Sequence, residues 1–78
     1  MVDKIEKVSY VAANKMVSAK MLAWEFGMQI PVAAMALLRL KRAKLLYRVK
    51  VGREYVYLIT PSGIGKLAYH GIYPPYDP

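Results

Sequence analysis

The stretch that decides the fold is Gly27–Leu46, "GMQIPVAAMALLRLKRAKLL". Pro31 suits the first turn of a helix, where its missing N–H is not needed, and Gln29 stands where a cap belongs. At about 100° per residue, Ala33, Ala36, Leu37 and Leu40 gather on one side and form a stripe that must be buried. Met35, Leu38, Arg39 and Arg42 point the other way. The outer side is therefore apolar in its first half and basic in its second.

The chain on either side of this helix follows the same logic. Upstream, Ser18 is an N-cap, a helix runs from Ala19 to Phe26 with Ala19, Leu22, Ala23 and Phe26 turned inward, and Gly27 stops it. A short extended piece at Met16 and Val17 links it to a first helix that starts near Asp3 and ends at Asn14. In that helix Ile5, Val8 and Ala12 share a face, and Asn14 serves as C-terminal cap. Downstream of Lys44 the period becomes strand-like. "LLYRVKV" and "EYVYLIT" predict strands over Leu45–Val51 and Glu54–Thr60, joined by Gly52 and Arg53. Side chains alternate along a strand, so Arg48 and Lys50 share a face opposite Tyr47, Val49 and Val51. Thr60 then caps a short helix with Pro61 in its first turn and Gly71 beyond its end, within which Gly63 and Gly65 are weakening residues. The segment 72–78 is an extended tail, and its tyrosines and Ile72 suggest that it packs.

Composition narrows the function. A chain of 78 residues has room for one domain that buries about 60% of its unfolded surface. There is no cysteine, which removes disulfides, thiolate nucleophiles and cysteine-based zinc sites. The apolar run from Ile30 to Leu38 is too short to span a bilayer, no export signal is visible, and the expected location is cytoplasmic. Twelve Lys/Arg against five Asp/Glu give a net charge of +7. Seven of the basic residues lie between Arg39 and Arg53 with no acid among them. Such a block favours a polyanion, nucleic acid being the commonest, over the alternative of a merely solvated face.

Catalysis finds no support. His70 is a lone histidine at a helix end, where charge and dipole explain it without a function, and Asp3 and Asp77 sit near opposite termini. "GIGK" lacks the glycine that a phosphate loop needs, since Thr60 occupies that place. No enzyme, cofactor, metal or small-molecule ligand is expected. Trp24 faces outward on the second helix and is expected to lie half-buried against a neighbour. Tyr55 and Tyr57 are expected to cover the core rather than stack on bases.

The order helix, short strand, helix, turn, helix, hairpin, helix resembles the winged helix-turn-helix family over nearly the whole chain. Ala23 corresponds to the small residue at the helix crossing, Gly27 to the tight turn, and "AKLLYRVKVGREYVYLIT" to the wing. The resemblance implies an α+β domain with a three-helix core, a two-stranded wing hairpin and a short C-terminal helix. It further implies a sequence-specific regulator of transcription that binds double-stranded DNA as a homodimer. In that family the third helix enters the major groove and the wing reaches the backbone or minor groove. Carried over, Gln29, Val32, Met35 and Arg39 face bases, and Ser18 and Lys20 meet phosphate. Arg42, Arg48 and Lys50 add phosphate contacts, and Arg53 sits at the wing tip. The chain departs from the family where polar residues are usual, on the apolar outer side of the third helix. Two alternatives stand beside the regulator reading: a winged helix used for protein assembly, which the apolar side favours, and an architectural DNA binder without sequence preference, which the basic block favours.

Overall fold

Helix ends in this chain are fixed by individual residues that settle otherwise unpaired backbone groups. The computed structural model describes residues 4–73. Within them run α1 (Lys4–Asn14), β1 (Val17–Ser18), α2 (Ala19–Phe26), α3 (Ile30–Arg42), β2 (Leu46–Val51), β3 (Glu54–Ile59) and α4 (Pro61–Tyr69). The expected start near Asp3 lies outside the described residues, as do positions 74–78 of the tail.

The Ser18 hydroxyl accepts from the Met21 N–H at 3.3 Å and opens α2. Gly27, at φ 64°, closes it, and both Gly27 and Met28 donate their N–H groups to the Ala23 carbonyl. Gln29 caps α3 by backbone alone, with no bond from its side chain. One helix end differs from expectation, and a second, for which no cap was expected, has the same left-handed backbone. After α1 the left-handed position is taken by Lys15 at φ 68°, while Asn14 donates its side-chain N–H back to the Tyr10 carbonyl at 2.9 Å. After α3 it is taken by Lys44 at φ 66°. Each left-handed lysine costs about 1 kcal/mol, because its Cβ crowds the following carbonyl.

The three strands form one antiparallel sheet in the order β1-β3-β2. The extended piece expected at Met16 and Val17 is a strand one residue later, pairing Val17 with Tyr57 and Ser18 with Val56. The hairpin registers Leu46 with Ile59, Arg48 with Tyr57 and Lys50 with Tyr55 on one face. Tyr47 with Leu58, Val49 with Val56 and Val51 with Glu54 occupy the other.

The core lies where α1, α2 and α3 meet the base of this sheet. Leu22 and Ala23 of α2 pack with Ala33, Leu37 and Leu40 of α3; Val8, Val11 and Ala12 enter from α1; Val17, Leu46, Tyr57 and Leu67 close the floor. Ala36, expected in the buried stripe, is half-buried at its margin. No polar or charged residue is buried among those described. Ile72 packs against the core as expected of the tail, whereas Tyr73 is exposed. No single helix among the described residues is long and apolar enough to cross a membrane.

Candidate nucleic-acid interface

The turn through Gly27 sets α2 and α3 at 112° to each other, within the range a helix-turn-helix uses to project its second helix. The buried stripe of α3 fixes its rotation about its own axis. The opposite side is left in solvent, with Val32 53% and Met35 47% exposed, followed by exposed Arg39 and Arg42. Arg39, Lys41 and Arg42 occupy the last turn, where cations are favoured by the helix dipole. Their position therefore has a local structural reason besides any contact they make. Gln29 is exposed at the start of the same helix with its amide free of the cap.

Lys20 stands exposed in the first turn of α2. Ser18 is less available: its hydroxyl serves the cap and its backbone is paired to β3. Between them a groove of about 200 Å³ runs from Ser18 and Ala19 past Ala34 of α3 to Tyr55 and Tyr57 of β3, with Glu54 at its rim. The first half of α3 and the wing thus face each other across open space.

The wing has two unlike faces. On the inner one, continuous with Leu46 and Tyr57 over the core, stand Arg48 and Lys50. On the outer one stand Tyr47, Val49 and Val51, all exposed, opposite half-buried Leu58 and Val56. The sequence placed these sets on opposite faces, and the structure shows that the apolar set meets solvent. The reason is side. These residues stand on the face of the sheet turned away from the core that Leu46 and Tyr57 cover, so even Tyr47, at the base of the hairpin, is exposed. Arg53 sits exposed at the tip beside Gly52.

Sequence reasoning missed two features. Trp24, expected half-buried, is 91% exposed and borders a shallow apolar groove with Lys20, Met28 and Ile30, because no element among the described residues passes above the outer side of α2. Tyr57 covers the core as expected, but Tyr55 is 44% exposed and carries the Arg48 guanidinium over its ring at 4.1 Å. Lys50 lies at 6.0 Å from the same ring centre. The register Lys50 opposite Tyr55, two residues from Arg48, was the available signal. Far from this surface, Tyr10 meets Phe26 edge-on at 5.6 Å; burial pushes its hydroxyl pKa above the ordinary tyrosine value and Glu25 adds to the shift.

The same arrangement of helices and wing occurs in a crystal structure described as that of a possible transcriptional regulator for arsenical resistance. The two agree with a TM-score of 0.69 over 91% of this chain and 82% of that one. The fold is a winged helix. The two sequences are 20% identical, so the likeness speaks for architecture alone. No protein-family model matches the chain, and no curated protein does.

Proposed function

We propose that this winged helix is a sequence-specific, double-stranded DNA-binding regulator of transcription that acts as a homodimer, with α3 in the major groove and the wing on the backbone or minor groove. One observation carries the reading: the exposed side of α3 continues into a basic wing whose cations, among the described residues, form no ion pair. A surface that leaves so much like charge unneutralised is complementary to phosphate. The fold likeness to a possible transcriptional regulator points the same way.

Within this reading Gln29 supplies the hydrogen-bonding pair to a base, preferably adenine, while Val32 and Met35 read thymine methyl groups by apolar contact. Ser18, Lys20, Arg39, Arg42, Arg48, Lys50 and Arg53 contribute to phosphate or groove contacts. A dimer supplies the second half-site that one such domain lacks. The groove between α1 and the end of α2, lined by Ile5, Tyr10, Phe26 and Ile72, supports pairing through α1 and the C-terminal segment.

The exposure of Val32 and Met35 also favours a second reading, in which the outer side of α3 docks a protein. One experiment separates the two. Thymine is replaced by uracil in a mapped site, and the oligomeric state of Met35→Ala is measured by light scattering. Weaker binding to the uracil site with an unchanged oligomer supports groove reading. Unchanged DNA affinity with a dissociated Met35→Ala protein transfers that side of α3 to a protein partner.

A further inference from the structure

The inner face of the wing holds its cations in a defined way. Tyr55 lies directly across the ladder from Lys50 and diagonally from Arg48, whose guanidinium rests on the ring at 4.1 Å. An arginine on an exposed strand ordinarily samples many rotamers, and fixing it is a cost that binding must meet. Here the ring holds it beforehand, by cation–π attraction to the face of the arene. Neighbouring Tyr57 is buried and holds β3 to the core, so the platform beneath Arg48 is anchored.

The outer face offers no counterpart. Tyr47, Val49 and Val51 carry no charge, and across from them stand Leu58, Val56 and Glu54. A hairpin inserted edgewise into a minor groove about 6 Å wide has phosphates along both of its flanks. The outer flank of this hairpin would bring uncharged side chains to those phosphates, and Glu54 near the tip, which also borders the inner groove, offers them nothing. The inner flank alone is equipped for them.

We infer that Tyr55 is a positioning residue that holds Arg48 on the inner face of the wing, and that the wing grips a DNA phosphate backbone by this face alone. The inference rests on the DNA-binding reading and refines it: the wing lies along one strand, with its outer face left in solvent and Arg53 adding a contact from the tip. Tyr55 itself need not touch the nucleic acid.

The test measures affinity for a short mixed-sequence duplex as a function of salt, using the full chain. Loss of the ring in Tyr55→Leu lowers affinity about two- to fivefold, the range a cation–π contact supplies, and reduces the slope of log affinity against log salt toward that of Arg48→Ala. Tyr55→Phe keeps the ring and leaves both unchanged. In an Arg48→Ala background Tyr55→Leu has no further effect, an outcome that a general structural role for Tyr55 would not produce. Val49→Lys, a cation added to the outer face, leaves the slope unaltered. Equal losses from Tyr55→Leu in both backgrounds, or none in either, overturn the positioning role. A steeper slope in Val49→Lys, by about 0.9, overturns the one-faced grip. If the unaltered chain shows no salt-dependent binding to any duplex, it is the regulator reading that falls.

Discussion

The wing is held at its base by close contacts and has almost none at its tip. At the base, Thr60 donates its N–H to the Leu45 carbonyl at 3.1 Å and its hydroxyl to the Lys44 carbonyl at 2.7 Å, and the same hydroxyl accepts from the Gly63 N–H at 3.0 Å. One residue, through its hydroxyl and its N–H, thus ties the end of α3, the start of β2 and the first turn of α4. Gly63 lies so close beneath them that a Cβ there would collide with the Leu45 carbonyl oxygen and the Ile59 side chain. At the tip, Val51, Gly52, Arg53 and Glu54 are all exposed. On the proposed function, the contrast puts architecture at one end of the hairpin and DNA contact at the other, so substitutions affect stability at the base and binding at the tip.

The largest expected effect is at Gly63. Gly63→Ala forces α4 away from a backbone carbonyl and destabilises the fold by about 3 kcal/mol, a fall in Tm of roughly 15 °C for a domain of this size. Gly65→Ala, four positions from the end of the same helix and with nothing near its added methyl, stabilises by about 1 kcal/mol. Thermal unfolding followed by circular dichroism gives both values, and equal effects at the two glycines would break the contrast. Thr60→Ala comes next: it removes a cap and the link to Lys44, at about 1–2 kcal/mol, whereas Thr60→Ser retains both bonds and most of the stability. Urea titration separates the two variants. The smallest stability effect belongs to the tip. Arg53→Ala changes the unfolding free energy by less than about 0.5 kcal/mol, yet lowers the salt slope of DNA affinity by about 0.9. A destabilised Arg53→Ala with an unchanged slope would show the tip to be structural after all.

Much of this was legible because the deciding signals are local. Ser18, Gly27, Pro31 and Thr60 act within a few residues of themselves, and each marks the helix end its chemistry suits. The hydrophobic stripe of α3 was readable for the same reason, and its buried residues named the outward ones by subtraction. What escaped reading depends on distant chain. Gly63 looks like a weak point in a helix until Leu45 is seen against it. Lys15 and Lys44 give no sign of a left-handed backbone, since lysine has no preference for it and the following turn imposes it. Trp24 was expected to find a cover that no element among the described residues provides. On the candidate interface, the sequence grouped Arg48 with Lys50 and its two-residue turn set Lys50 opposite Tyr55, but which cation lies over the ring depends on side-chain rotamers that the sequence does not set. Nor could it show that Tyr47, Val49 and Val51 face solvent, since which face of the hairpin lies against the core is set by tertiary packing.

The position of β2 at the margin of the sheet bears on how the molecule keeps apart from its own copies. A strand at a sheet margin presents unpaired N–H and C=O groups that another strand can use, and an apolar outer face makes such pairing more favourable. Arg48 and Lys50 stand on this strand as gatekeepers, and the net charge of +7 adds a general repulsion between copies. Both protections are electrostatic and shorten with the screening length, from about 10 Å at 0.1 M salt to about 3 Å at 1 M. On the proposed function, the high salt that would release the chain from DNA would also expose it to strand-on-strand self-association, so that solubility and DNA release pull in opposite directions on the same two side chains.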